Sequence, residues 1–99
     1  MIKHVVLFKL KDYPEHLKKE ILSELTSGIK SLKDKISEAK YIEVGVNHEL
    51  DAKSYDLALI SHFESINDLE TYIFHPEHQK ISKRLGETTI SRAAVDFEF

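Results

Sequence analysis

From Ile2 to Lys11 the side chains alternate: His4, Val6, Phe8 and Leu10 on one face, Lys3, Val5, Leu7 and Lys9 on the other. A period of two is that of a strand. The lysines stand at the ends of the second face, so both faces have apolar centres. Tyr55 to Phe63 repeats this, with Leu57, Leu59 and Phe63 on one side and Ala58 and Ile60 on the other. Strands that are apolar on both faces must be covered on both. No other feature of the chain constrains its fold as strongly.

The remaining segments supply the cover. Asp12-Tyr13-Pro14-Glu15 reads as a helix start, with Asp12 as the cap, Glu15 three residues later and Pro14 in the first turn. Leu17, Ile21, Leu25, Ile29, Leu32 and Ile36 then recur at steps of three or four, the stripe of an amphipathic helix that Gly28 interrupts. Tyr41 to His48 is a second strand, with Ile42, Val44 and Val46 on one face. The polar stretch from Glu49 to Ser54 is expected to be a hairpin loop longer than a tight turn. Ser65, followed by Asp68, opens a short helix carrying Ile66, Leu69 and Ile73. Pro76 disfavours helical geometry at His75 and suits the first turn of another helix. That helix is predicted to run through Leu85 and to stop at Gly86. Ile90 to Phe99 is a last strand, with Ala93, Val95, Phe97 and Phe99 set against Arg92, Ala94, Asp96 and Glu98.

The order is β-α-β-β-α-β with the last helix broken in two, an α+β, ferredoxin-like arrangement around a four-stranded antiparallel sheet. Ninety-nine residues make one domain. A single helix layer covers one face of the sheet, so Val5, Leu7, Ala58 and Ile60 require something else. A second copy is the simplest cover, giving a homodimer through the sheet face.

Composition narrows the function classes. Fourteen Lys and Arg against 17 Asp and Glu leave a net charge of −3, which argues against a nucleic-acid partner. The longest aliphatic or aromatic runs, Val5–Phe8 and Leu57–Ile60, are far shorter than the ~20 residues of a membrane span. No membrane partner is expected. With no cysteine there is no disulfide, thiolate nucleophile or zinc–sulfur site. The N-terminal residues lack the pattern of a secretory leader, so a cytoplasmic location is expected. The three glycines form no phosphate-cradling loop, and no cofactor is expected.

Six histidines carry most of the chemical signal. An imidazole can accept a proton α to a carbonyl near neutral pH, and a phenol can polarise that carbonyl by donating a hydrogen bond. Tyr72 and His78 flank Pro76, whose turn can bring both side chains to one cleft as an acid/base pair. His75 and His78 have the spacing of two metal ligands on a helix. Glu77, the only nearby third ligand, points elsewhere, so no metal site is expected. His75 is instead expected to cap the second helical segment. His4 shares a face with Val6 and Phe8 and points under the helices, whereas His62 lies on the Ala58 and Ile60 face as an interface residue. His16 and His48 read as exposed, and the mixed Lys/Glu run from Ile29 to Lys40 as a solvated helix face.

Ile2-Lys3-His4-Val5-Val6-Leu7-Phe8-Lys9, His62-Phe63-Glu64-Ser65, Tyr72-Ile73-Phe74-His75-Pro76-Glu77-His78 and Ala94-Val95-Asp96-Phe97 together resemble the stress-responsive A/B barrel (Dabb) family. The resemblance spans essentially the whole chain, and the Tyr-x-x-His-Pro-x-His segment is its most specific part. It implies a dimeric α+β barrel with a cleft under the helices of each subunit. The family includes plant stress proteins and olivetolic acid cyclase, a cofactor-free polyketide cyclase. Through that likeness Tyr72 and His78 match an acid/base pair and His4 a pocket histidine, while His75 reads as structural. The likeness stops at the substrate pocket: Leu57 stands where the cyclase has a third-strand histidine. Ile21, Leu22 and Leu25 do not reproduce its aromatic tail site.

Three function classes follow. The first is a stress-responsive protein with a cleft for a small, largely apolar ligand, lined by His4, Val6, Phe8, Leu59, Tyr72 and His78. The second is a cofactor-independent cyclase, lyase or oxygenase using Tyr72 and His78. The third is a purely structural dimer with a filled core.

Overall fold

The computed structural model describes residues 1–48 and 53–99. The expected hairpin loop at 49–54 falls largely outside them. Four strands, β1 (Ile2–Leu10), β2 (Tyr41–Val46), β3 (Leu57–Phe63) and β4 (Thr89–Glu98), form one antiparallel sheet in the order β2-β3-β1-β4. Helices α1 (Glu15–Lys35), α2 (Ile66–Phe74) and α3 (Pro76–Thr88) provide the helical cover. This is the ferredoxin-like arrangement. No helix among the described residues is long and apolar enough to cross a membrane.

The central strands β1 and β3 pair Val6 with Leu59 and Phe8 with Leu57 on the helix side, and Val5 with Ile60 and Leu7 with Ala58 on the outer side. The helix-side residues of these pairs are buried. The outer face keeps apolar groups in contact with solvent: Leu7, Val95, Phe97 and Phe99 are between 37% and 55% exposed in the single chain. His62 belongs to this outer face, its ring stacked on Tyr41 and tilted against Phe99. Val46 shares the face of Ile42 and Val44 but is 45% exposed, because it ends the edge strand.

The core has two parts. The first gathers Val6, Phe8, Leu10, Leu57 and Leu59 of the sheet under Ile21, Leu22, Leu25 and Ile29 of α1 and Leu85 of α3. The second packs Ile2 and Phe63 with Leu32, Ile36, Ala39, Leu69 and Tyr72. The sequence stripe on α1 is thus its buried face, widened by Leu22. Gly28 lies where α1 meets α3: a Cβ there would stand 2.7 Å from the Ile81 Cδ1. Its missing side chain allows that close approach.

Helix ends differ from expectation in two places. Asp12 does not cap α1. The helix begins at Glu15 behind Pro14, which has no side-chain cap. Extended geometry at Pro14 and a bond from the Tyr13 amide to the Lys11 carbonyl use residues 11–14 as a tight connection instead. Nor does Gly86 stop α3, which continues to Thr88. No glycine adopts a positive φ. The Thr88 and Thr89 hydroxyls donate to carbonyls of the last turn, so the end is closed without a left-handed residue.

The start of α2 follows the sequence, with the Ser65 hydroxyl accepting the Asp68 amide at 3.1 Å. Ser65→Ala should lower stability by about 1 kcal/mol, the usual value of such a cap. The shift in urea midpoint at constant slope would measure it.

Candidate functional site

A cavity of about 200 Å³ lies between the sheet and the helices, bordered by residues from both parts of the core. Its floor is β1 and β3, through His4, Val6, Phe8 and Leu59, and Tyr72 of α2 and His78 of α3 enter from above. All six side chains singled out in the sequence therefore meet at one place. Ile29 and Leu32 of α1, and Ile81 and Leu85 of α3, complete the apolar wall.

The break between α2 and α3 brings Tyr72 and His78 together. Pro76 occupies the first position of α3, and His75 before it is extended. The His75 Nδ1 accepts the Glu77 amide at 3.1 Å, the capping role expected of it. That bond commits His75 to the backbone, while His78 turns to the cavity. Among the described residues no group of three metal-ligating side chains is assembled. The Tyr72 and His78 rings lie 4.6 Å apart, centre to centre, and Tyr72 also packs against Phe63 at 4.9 Å.

Both residues present buried polar atoms without a hydrogen-bond partner among the described residues: the Tyr72 hydroxyl and the His78 Nδ1. Burial pushes the Tyr72 phenol up to about 12, so it is a hydrogen-bond donor at any physiological pH. Burial also holds His78 below its ordinary value of 6.5. The Ile73 carbonyl opposes that shift, and the neighbouring His4, Arg92 and His75 add to it. At neutral pH the imidazole is uncharged and able to take up a proton.

His4 is buried, and its Nδ1 lies 2.5 Å from the Asp96 carboxylate. The register of β1 against β4 places Asp96 directly opposite His4. A carboxylate on Nδ1 fixes the ring's orientation and directs Nε2 as the remaining polar atom. Asp96 was legible only as one residue of the Arg92, Ala94, Asp96 and Glu98 face. Assigning it to His4 requires the cross-strand register, which the alternation of one strand does not supply. Arg92, Ser82, Gly86 and Thr89 also line the cavity, at its α3–β4 end. A Cβ on Gly86 would meet nothing within 4 Å. This glycine supplies open space rather than a turn.

A wider groove of about 870 Å³ runs along the opposite edge, between α1 and the end of β2. Tyr13, Lys18, Thr26, Asn47 and His48 are among its walls, and it contains neither Tyr72 nor His78.

The family model of the stress responsive A/B barrel domain matches residues 2–99. A comparison with curated proteins gave no match. Among solved structures, a dimeric protein of unknown function with a ferredoxin-like fold from Bacteroides fragilis is 41% identical, with a TM-score of 0.90 over 99% of this chain and 95% of that one. A dimeric ferredoxin-like protein of unknown function from Thermobifida fusca is 23% identical, with a TM-score of 0.85 over 99% and 90%. The hydroxynitrile lyase of Passiflora edulis shares the fold at 15% identity, with a TM-score of 0.81 over 97% and 90%.

Proposed function

Because the chain belongs to the stress responsive A/B barrel domain family, we propose that it is a homodimer with one small-molecule cavity per subunit, in which Tyr72 and His78 move a proton on a carbonyl-bearing ligand. One observation carries this reading: Tyr72 and His78 line one cavity, and the Tyr72 hydroxyl and the His78 Nδ1 are buried without a hydrogen-bond partner among the described residues. An unsatisfied buried polar group costs about 1–3 kcal/mol, so a ligand that bonds both recovers free energy that the empty fold forgoes. A core filled for structural reasons alone would have no use for such a pair.

The chemistry follows from the two ionisation states. The Tyr72 phenol stays protonated and donates to the carbonyl oxygen of the ligand, stabilising the charge that develops there. Neutral His78 takes the proton from the adjacent carbon. His4, held by Asp96, gives a further polar contact, and the apolar body of the ligand rests on Val6, Phe8 and Leu59. The homodimer covers the outer face of the sheet, whose apolar groups the single chain leaves exposed; the relative from Bacteroides fragilis is also dimeric.

The test is deuterium exchange at the α-carbon of small ketones, cyclohexanone and acetophenone, followed by proton NMR in deuterium oxide. Wild-type protein should accelerate exchange. His78→Gln should reduce the acceleration by about 100-fold or more, the usual contribution of a positioned base. Tyr72→Phe should reduce it by a smaller factor. Because burial lowers the His78 pKa, the rate should hold through pH 6.5 and fall only at more acid pH, as the ring protonates. The sign for stability is the same: the neutral ring's contribution is present above 6.5 and is lost as pH drops through the lowered folded-state value. An exchange rate that His78→Gln leaves intact would sink the assignment of the base. Binding without exchange would leave a ligand carrier.

A further inference from the structure

We propose that the cavity selects oxo carboxylic acids, with Arg92 as the anchor for the carboxylate. This rests on the ligand cavity proposed above and names the ligand class. The polar part of the lining is His4, Tyr72, His78, Ser82, Thr89 and Arg92, and among the described residues no Asp or Glu lines it. Arg92 lies on β4 directly opposite Phe8, on the helix side of the sheet. It is exposed and yet forms part of the wall, so the residue stands at the rim of the cavity.

No carboxylate pairs with Arg92 among the described residues. Arg84 shows the contrast, held by both oxygens of Glu24 at 2.7 and 3.1 Å. Asp96, two residues further along the face of Arg92, is engaged with His4. A guanidinium fork matches a carboxylate with two parallel hydrogen bonds. The charge of Arg92 also adds to the burial that lowers His78, so the two groups act on the same space. A ligand with a carboxylate at the mouth and a carbonyl further in satisfies Arg92, Tyr72 and His78 together. Neutralising Arg92 then makes His78 a stronger base only when the acid is bound.

The experiment titrates benzoylformate, 2-oxohexanoate and 4-oxopentanoate, each against its methyl ester, into the wild-type protein by calorimetry. The His78 imidazole is followed in parallel by NMR. At least one acid should bind ten times or more tighter than its ester, and the advantage should shrink as salt is added. Its binding should raise the pH at which His78 titrates. Arg92→Gln should reduce the preference to less than twofold, and Arg92→Lys should keep part of it. Equal binding of every acid and its ester would overturn the carboxylate selection while the ligand cavity stands. A preference that survives Arg92→Gln would overturn the anchor. If no acid or ester binds, both readings fall.

Discussion

Ile60→Asp should convert the protein from a dimer of about 23 kDa, twice the 11.5 kDa chain, into a monomer or an unfolded chain in analytical ultracentrifugation. Ile60 stands in the middle of the outer face, opposite Val5 on one side and Glu43 on the other. Around it the single chain leaves Leu7, Val95 and Phe97 partly exposed. A second copy laid on this face would bury the new carboxylate without a cation and beside Glu43, and an uncompensated buried charge is strongly destabilising. His78→Gln, on the other side of the sheet, should leave sedimentation unchanged. Wild-type protein that runs as a monomer at micromolar concentration would sink the proposed dimer.

Asp56→Ala should lower the stability of the fold by about 3–5 kcal/mol, the range for breaking a buried ion pair by removing one partner. Asp56 is fully buried. One carboxylate oxygen accepts the Leu10 amide at 2.8 Å, and the other lies 3.3 Å from the Lys18 ammonium and 3.7 Å from that of Lys9. Its backbone amide donates to the Phe8 carbonyl, and its carbonyl accepts the Asn47 amide. One residue thus ties α1, β1 and the end of β2 together. Alanine would strand the Leu10 amide and take the counter-charge away from Lys18. Asn keeps an acceptor for Leu10 and should cost less. Urea unfolding of the two variants would rank them, and a loss below about 1 kcal/mol for alanine would show that solvent replaces the carboxylate there.

Asp56 also shows where reading the chain runs out. The sequence places it inside a strand from Tyr55, but β3 begins at Leu57, and only the folding of three elements onto Asp56 makes it a buried centre. Strand and helix identities were legible because period two and the three-to-four spacing are imposed by burial on one side of each element. The ends were less so. Asp12 has the chemistry of a cap but is held in a connection ahead of Pro14, and Gly86 has the freedom to end a helix but does not use it. In the site, the Tyr-x-x-His-Pro-x-His segment is local enough for its geometry to follow from Pro76. Asp96 and Arg92 reach the site through β4 pairing with β1, a contact between opposite ends of the chain. Their residue types were visible, but their neighbours were not.

The alternation along β1 links substitution and insertion to different outcomes. Its even-numbered residues, His4, Val6 and Phe8, face the cavity, while Val5 and Leu7 face outward. Point changes can therefore alter the cavity lining or the outer face separately, each lineage of variants drifting on one side of the sheet without disturbing the other. Gaining or losing one residue within the strand has no such freedom, because it turns every later side chain to the opposite side. The length of β1 should thus be far more tightly held among functional variants than its residue types.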